Sequence, residues 1–262
     1  MPASVDVSCA PAGIDAGGAP AIPLPMCGRF TREYTWREVH DFLDLKFPKG
    51  VRAAEGVKER FGKSYNVAPT QMSPIAHMDL ESGEGEINIR RWGLVPTWAD
   101  DPSIGNRMIN ARAESAATKP GFRKAFLRGR CVVPVSSFFE WKQPEEDGPK
   151  QPYRVHRADG SIMLLAGLFE PPHEHAPDGS FTIITTAANA FMSSMHDRMP
   201  AILEPESVEA WCDPSAEKER ASDLLGPAKD GVLDAHPVSR RVNKPANDEP
   251  SLVESTSTQQ TE

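Results

Sequence analysis

The sequence predicts an α+β fold with a single domain, in which a mainly antiparallel, barrel-like β structure carries peripheral helices. Short runs rich in β-branched and aromatic residues recur along residues 74–186, and Gly, Pro and Asp separate them. Segments with helical spacing do not alternate regularly with these runs, which argues against a doubly wound parallel sheet. The 262 residues, of which 39% are hydrophobic, suffice for one large domain with its own core.

The expected elements follow in order along the chain. Thr35 can cap a first helix over residues 36–47, because apolar residues recur there at helical spacing. A Gly-rich and charged segment, 50–63, is predicted to be a mobile loop. The predicted strands are 74–78, 86–92, 130–141, 153–156, 162–169, 181–186 and 232–238. The other predicted helices are 121–127, 207–212 and 216–225, and the predicted hairpin loops are 143–150 and 171–180.

The two ends of the chain differ from its middle. Residues 1–25 are rich in Ala, Pro and Gly and have neither an amphipathic period nor a secretion signal. We expect them to be disordered, or to precede the true start of translation at Met26. Residues 246–262 read as a disordered acidic tail. The sequence therefore predicts one folded domain over 26–245.

The charge distribution bears on the class of partner. The formal net charge of −8 argues at first against nucleic acid, because phosphate binding needs Lys and Arg. However, residues 1–25 and 246–262 together contribute −6, and residues 26–142 carry +5. A polarised molecule of this kind can hold a basic groove, although a solvated basic face is the simpler interpretation. No apolar run approaches the ~20 residues of a membrane span, which excludes a membrane protein.

The cysteines do not resemble a metal site or a disulfide framework. They lie at positions 9, 27, 131 and 212, and no two form a CxxC pair. We therefore expect no metal site, and reduced thiols in a cytoplasmic protein.

Cys27 is a candidate nucleophile. It follows Met26 directly, so a start at Met26 with removal of the methionine would make it the N-terminal residue. An α-amine has a pKa of about 7.7–8.0 and is partly neutral near pH 7. Such an amine forms an imine with an aldehyde, and the neighbouring thiol can then close a thiazolidine ring. The alternative is an ordinary cysteine that opens a strand.

Two further segments carry candidate catalytic groups. Asn110, Arg112 and Glu114 alternate, which suits an extended segment with its polar side chains on one side. The alternative there is a salt-bridged surface turn. Glu140 is flanked by aromatic residues, which would desolvate its carboxyl group, raise its pKa and prepare it for proton transfer. The alternative is an edge-strand glutamate that faces water.

A histidine and two tryptophans complete the candidates. His196 is followed by Asp197 and Arg198 and could shuttle protons, or could belong to a loop held by an Asp197–Arg198 network. Trp92 and Trp98 lie in the segment RWGLVPTW. Aromatic rings near basic residues can stack on unpaired nucleobases, although packing in the core is the commoner fate of either ring alone.

Taken together and in order, these motifs resemble those of the SRAP family, the abasic site processing proteins. The matching segments are MCGRF at 26–30, YNVAPTQ at 65–71, RWGLVPTW at 91–98, INARAES at 109–115, SSFFEWK at 136–142, HDRMP at 196–200 and HPVSRRVN at 236–243. Each segment alone is a weak signal, but seven in order over residues 26–245 are specific.

The resemblance implies a fold, an activity and a set of site residues. The family has a single α+β domain around a barrel-like β structure, and it acts in the DNA damage (SOS) response on abasic sites in single-stranded DNA. Its N-terminal cysteine, here Cys27, forms a thiazolidine with the open-chain sugar aldehyde. Its Asn, Glu and His partners correspond to Asn110, Glu140 and His196. Lyase and autopeptidase activities are also attributed to the family.

The resemblance and the chemistry of the residues suggest further roles. We expect Arg29 and Arg112 to hold phosphates, and Asn66, Trp92 and Trp98 to shape the DNA groove. No metal or organic cofactor is expected, nor a membrane partner. We expect a monomer in the cytoplasm, associated with the nucleoid when it is bound to DNA.

The chain as written has 25 residues before Met26, and an amide at Cys27 could not form the imine. The crosslinking hypothesis therefore requires a start at Met26 or cleavage after it. One alternative function is a cysteine peptidase that uses Cys27 with His196 or Glu140 as base. A second alternative is a non-enzymatic binder of single strands.

Overall fold

The computed structural model describes residues 27–79, 81–144 and 148–256. Their strands, in chain order, are β1 Phe30–Arg32, β2 Val51–Ala53, β3 Ser64–Val67, β4 Met72–Met78, β5 Gly85–Trp92, β6 Asn110–Arg112, β7 Arg130–Val135, β8 Ser137–Lys142, β9 Gln151–Arg157, β10 Met163–Glu170, β11 Ser180–Ala187, β12 Arg198–Pro200, β13 Ile202–Leu203 and β14 Leu233–Pro237. The α-helices are α1 Trp36–Asp44, α2 Val57–Arg60, α3 Ala113–Ala116, α4 Arg123–Arg128, α5 Val208–Cys212 and α6 Lys218–Asp223.

The larger sheet closes on itself. Its main path runs β12-β11-β10-β7-β4-β5-β2, and a parallel pairing of β11 with β5 joins two strands that are far apart on that path. This pairing closes a ring of five strands, β5-β4-β7-β10-β11. The four remaining junctions of the ring are all antiparallel. A smaller antiparallel sheet has the order β14-β9-β8-β1-β3. This arrangement confirms the predicted α+β class with a mainly antiparallel, barrel-like structure and short helices.

Apolar side chains fill two large clusters. One contains Trp92, Phe138 and Phe181 and includes Cys27. The other contains Phe126 and Trp211, and helices α1 and α5 pack their apolar residues into it. The first cluster takes residues from both sheets and packs them together, whereas the strand residues of the second come from the larger sheet.

Several predicted elements are confirmed and others differ. The capping box of α1 is present, with Thr35 Oγ1 accepting from Glu38 N, but the helix ends at Asp44 rather than at residue 47. The predicted strand 130–141 divides at Ser136, where the chain passes from the larger sheet to the smaller one and Ser136 N donates to Thr31 O. The predicted loop 50–63 contains β2 and α2. The short helices near 121–127, 207–212 and 216–225 are present as α4, α5 and α6.

The prediction of a disordered tail from residue 246 is wrong for the described part of that segment. Residues Pro250–Val253 form a 3₁₀ turn, and Leu252 is fully buried against Phe139 and Trp141. A single leucine among polar residues anchors this segment, and a composition-based prediction does not detect such an anchor. The predictions for 1–25 and for 257–262 fall outside the described residues. Within the described ranges no helix is long and apolar enough to cross a membrane.

Candidate active site

The chain brings Cys27 and Glu140 into direct contact. β1 pairs antiparallel with β8, with Phe30 opposite Phe138, so the residues before β1 run alongside the second half of β8. As a result, Cys27 N donates a hydrogen bond of 3.2 Å to Glu140 Oε2. Both residues are buried, with exposed fractions of 0% for Cys27 and 4% for Glu140. The sequence identified both residues as candidates, but their contact depends on the pairing of β1 with β8, two strands that are far apart in the chain.

The environment of Glu140 opposes the charged carboxylate. Burial raises the pKa of Glu140, while hydrogen bonds from Trp141 N and Cys27 N and the charge of His196 act in the opposite direction. The Trp141 N–H donates to Oε1 at 3.1 Å, so each carboxyl oxygen has one backbone donor. The predicted water-facing alternative is therefore wrong. A carboxyl group with a raised pKa and a nitrogen at hydrogen-bond distance is suited to proton transfer.

The thiol of Cys27 is held as a neutral group. Burial raises the pKa of Cys27 well above its ordinary value, and the negative charge of Glu140 raises it further. Cys27 also has a left-handed backbone, with φ of 49°, and among the described non-glycine residues only Thr70 shares a positive φ. Such conformations cost free energy and are concentrated at functional sites. Here the strained residue is the candidate nucleophile itself.

His196 lies close enough to Glu140 to lower its pKa electrostatically. The residue follows the 3₁₀ turn Met192–Ser194, and its backbone N donates to Met192 O. Arg198 N donates to His196 Nδ1 at 3.0 Å, and Asp197 Oδ1 lies 2.8 Å from the same nitrogen. The first contact suits a neutral ring protonated at Nε2, and the second suits a protonated ring that donates from Nδ1. Both contacts are made at Nδ1 and hold the orientation of the imidazole ring.

An ion pair joins the histidine segment to the asparagine segment. Arg198 Nη2 donates to Glu114 Oε2 at 2.9 Å, while Arg198 Nη1 donates to Oε1. Arg198 Nη2 also donates to Thr185 O at 2.6 Å on β11. The predicted alternative of an Asp197–Arg198 network is wrong, because Arg198 pairs with Glu114 instead. β11 therefore organises both segments, pairing with β6 on one side and β12 on the other.

Asn110 and Arg112 lie on a surface groove. Both belong to β6, Asn110 half-buried and Arg112 exposed, and the extended segment ends there because Glu114 already lies in α3. They line a cavity of about 660 Å³ together with Trp98, which is 58% exposed. Arg107 and Lys119 also line this cavity. The sequence analysis did not single out these two bases, although they lie within residues 26–142, the part of the chain that carries +5.

Trp92 does not reach the groove. Its exposed fraction is 0%, its ring lies 4.9 Å from that of Phe30, and its Nε1 donates to Ile109 O at 2.9 Å. The ring therefore has no face available to a nucleobase, and the prediction that Trp92 shapes the groove directly is corrected to a role in the core. Trp98 and Trp92 differ in this way because β5 ends at Trp92 and Trp98 lies in the following loop.

Arg29 and Asn66 hold the protein's own backbone. Arg29 Nη1 donates to Asn66 Oδ1 at 3.0 Å and to Val242 O at 2.7 Å, and Asn66 Nδ2 donates to Asn247 O at 2.8 Å. Both residues are buried, with exposed fractions of 6% and 1%. Their predicted contacts with DNA are corrected accordingly, because these polar groups are engaged within the domain.

The described ranges contain no group of three or more His, Cys, Asp or Glu residues placed to hold a metal ion. The acid–base and nucleophilic groups at the buried end of the site are the nitrogen and thiol of Cys27, the carboxyl of Glu140 and the imidazole of His196.

Comparison with known proteins identifies the family of the chain. The sequence profile of the SOS response associated peptidase (SRAP) family matches residues 26–245. The chain is 37% identical over 234 residues to the abasic site processing protein YoaM of Bacillus subtilis, covering 87% of this chain and 98% of that protein. It is 34% identical over 236 residues to the abasic site processing protein YedK of Escherichia coli, covering 87% and 99%.

A solved structure has the same fold. The crystal structure of a Bacteroides thetaiotaomicron protein superimposes with a TM-score of 0.74 at 26% identity, covering 87% of this chain and 99% of that one. The family profile spans more than half of the chain, and the relatives match along nearly their whole length. The chain therefore belongs to the SRAP family.

Proposed function

We propose that this protein recognises abasic sites in single-stranded DNA and links to them covalently through Cys27, as part of a DNA damage response. The names of the relatives support recognition of abasic sites. The observation that carries the covalent step is the 3.2 Å contact between Cys27 N and Glu140 Oε2. It places a proton acceptor on the nitrogen that must lose a proton before it can attack an aldehyde.

The chemistry proceeds in balanced steps from an N-terminal Cys27. The carboxylate of Glu140 takes a proton from the ammonium group, and the neutral amine adds to C1′ of the open-chain sugar. Within this adduct a proton moves from the nitrogen to the oxygen of C1′, which gives a hydroxyl group. Glu140 then returns its proton to that hydroxyl group, which leaves as water, and finally takes the remaining proton from the nitrogen to give the imine. The thiol adds across the imine, forming the C–S bond and transferring its proton to nitrogen, so that one water is released per adduct. The neutral thiol favoured by burial is the reactant that this last step consumes.

The other site residues prepare the sugar. His196, with its Nδ1 bound to Arg198 N, presents Nε2–H to the ring oxygen O4′ and assists ring opening. Asn110 orients the sugar or the cysteine through its amide group. The exposed groove beside Asn110 binds the strand, with Arg112 holding phosphates and Trp98 stacking on a base.

The reaction needs a free amine at Cys27. The active form therefore begins at Cys27, through translation from Met26 with removal of the methionine or through cleavage after Met26. Edman sequencing or intact mass of native protein tests this requirement directly. A stable mature chain that begins at Met1 or Pro2 would overturn the thiazolidine proposal.

The deciding experiment mixes protein that begins at Cys27 with single-stranded DNA containing one abasic site. We expect an adduct that survives denaturing electrophoresis and is absent with intact DNA. Cys27→Ala should abolish it. Cys27→Ser conserves the size of the side chain, and both variants keep the N-terminal amine and lose the thiol, so each should give an adduct only after borohydride reduction of the imine. An unchanged adduct with Cys27→Ala would show that Cys27 is not the nucleophile.

A second candidate is autoproteolysis at the bond between Met26 and Cys27. The family description names a peptidase, and Glu140 Oε2 lies against the nitrogen of that bond. The raised thiol pKa argues against a thiolate that attacks peptides in general. A peptide spanning residues 20–32, incubated with protein that begins at Cys27, tests general peptidase activity. A plain single-strand binder would instead give only salt-reversible complexes.

A further inference from the structure

The C-terminal strap, residues 242–256, lies behind the proposed site. The family profile ends at residue 245, yet the described chain stays packed against the domain up to residue 256. The strap contacts the strands that carry the site, and it does so from the side away from Glu140.

The first set of contacts lies beside Cys27. Arg29, two residues after Cys27, donates to Val242 O at 2.7 Å and to Asn243 O at 3.3 Å. Asn66 on β3 donates to the carbonyl oxygens of the same segment, at 3.1 Å to Val242, 3.1 Å to Lys244 and 2.8 Å to Asn247. Because Arg29 and Asn66 are buried, loss of the whole set of contacts would leave their polar groups without these partners inside the domain.

The second set of contacts anchors the end of the strap. Asp248 accepts from Ser64 Oγ at 3.0 Å and from Tyr65 N, which fixes the strap on β3. Leu252 is fully buried in a small cluster with Phe139 and Trp141. The carboxylate and the leucine are thus separate anchors, one polar and one apolar.

The strand geometry connects the strap to the reacting groups. Successive side chains of a strand point to opposite faces, so Phe139 and Trp141 face the strap while Glu140 faces Cys27. Trp141 Nε1 also donates to Asn243 Oδ1 at 2.8 Å, and Phe139 N donates to Arg29 O at 3.0 Å. The strap therefore contacts Trp141 next to Glu140 and Arg29 two residues after Cys27, so it supports the two chain segments that carry the contact between Cys27 N and Glu140 Oε2.

We propose that the C-terminal strap is a positioning element for the reaction of Cys27, with Asp248 and Leu252 as its anchors and Arg29 and Asn66 as positioning residues. This inference rests on the proposed crosslinking function. The strap fixes the distance between the Cys27 nitrogen and the Glu140 carboxyl and leaves the groove beside Trp98 untouched. The strap therefore affects the chemical step, because displacements of about 1 Å at reacting atoms cost up to ~10²-fold in rate. DNA binding is unaffected, because the groove that binds DNA does not contact the strap.

The test compares two truncations of the protein that begins at Cys27. The first ends at residue 245 and removes both anchors, and the control ends at residue 256 and keeps the strap. We measure the rate of adduct formation at saturating abasic DNA, and separately the Kd for DNA with a tetrahydrofuran site, which has no aldehyde. For the shorter chain we expect a rate at least about tenfold lower, with the Kd within about twofold of the control.

Point variants keep the test decisive if the shorter chain does not fold. Leu252→Ala should slow the adduct, and Leu252→Met, which conserves volume, should restore the rate. Asp248→Ala should slow it likewise, whereas Glu254→Ala removes the same charge from an exposed position of the strap and should have no effect. Near-UV circular dichroism establishes that each variant is folded at the assay temperature.

The outcomes separate this inference from the proposed function. No adduct with the unmodified chain would overturn the crosslinking function and the inference with it. A wild-type rate for the truncation or for both anchor variants would overturn the positioning role alone. Parallel losses in rate, affinity and folded signal would also overturn it, because they would indicate a merely structural segment.

Discussion

Replacing Glu140 by glutamine tests the proposed proton transfer most directly. The glutamine keeps the length of the side chain, and its one carbonyl oxygen can still accept from Trp141 N, which lies 3.1 Å from Glu140 Oε1. Its NH2 group takes the place of Oε2, 3.2 Å from Cys27 N. The carboxamide cannot take a proton from the Cys27 ammonium group. General acid–base catalysis contributes about 10²- to 10⁴-fold, so Glu140→Gln should slow adduct formation by that factor.

The pH dependence gives the same prediction a second readout. Because burial raises the pKa of Glu140, the carboxylate required as base is lost as the pH falls through a value above the ordinary carboxyl range. The wild-type rate should therefore decline on that acidic limb, and the glutamine variant should lack this contribution to the decline. Quenched single-turnover reactions resolved on denaturing gels, from about pH 5 to 9, measure both profiles.

The stability of the two proteins provides the control. A carboxyl whose pKa is higher in the folded state binds its proton more tightly there, so the wild type loses stability as the pH rises through the unfolded and then the folded pKa. The glutamine variant does not titrate at this position. As the pH rises from acidic to neutral, the urea midpoint of the glutamine variant should therefore increase relative to that of the wild type. A variant that forms the adduct at the wild-type rate and with the wild-type pH profile would refute the role assigned to Glu140.

Three further substitutions test the groove and the core. Arg112→Glu should weaken binding of single-stranded DNA and lower the slope of log K against log salt by about 0.7 for each phosphate that is no longer neutralised. Lys218→Glu on α6 is the control and should leave the slope unchanged. Anisotropy titrations from about 50 to 200 mM KCl measure both slopes. Trp98→Ala should weaken binding of abasic DNA by about 1–3 kcal/mol, measured in the same titration, without lowering the thermal midpoint. Trp92→Ala should lower the free energy of unfolding by about 3–5 kcal/mol in urea titrations, because this ring is fully buried. A stable Trp92→Ala variant with weak DNA binding would contradict the assignment of Trp92 to the core.

The sequence predicts the strands and short helices well because their signals are local. β5, β10 and β11 each appear as a β-branched or aromatic run bounded by turn residues. The division of 130–141 into β7 and β8 was not predictable, since the whole run is apolar and only the tertiary partner changes at Ser136. Likewise β2 and α2 form within a charged, Gly-rich segment because β2 pairs with β5 and the apolar side chains of the segment pack into the core.

For the site as well, features with a local sequence signal could be predicted and features that depend on tertiary contacts could not. Glu140 was identifiable from its aromatic neighbours, but its contact with Cys27 joins residues 113 positions apart and depends on the register of β1 against β8. The two tryptophans of RWGLVPTW look equivalent in the sequence, whereas the end of β5 separates a buried ring from an exposed one. Arg29 resembled a phosphate ligand because an isolated arginine gives no sign of the backbone carbonyl groups that it binds.

The acidic net charge is compatible with a DNA groove because the ion pairs are distributed unevenly. Some arginines away from the groove have carboxylate partners, as with Arg52 and Arg154, and others, such as Arg29 and Arg130, donate to backbone carbonyl groups. Arg107, Arg112 and Lys119 around the groove form no ion pair within the described ranges. Three unpaired bases correspond to a salt slope of about −2 for a single strand, which gives weak binding at physiological salt. With so few phosphate contacts the proposed complex would dissociate readily, and the proposed covalent bond at Cys27 would compensate for that weak attraction.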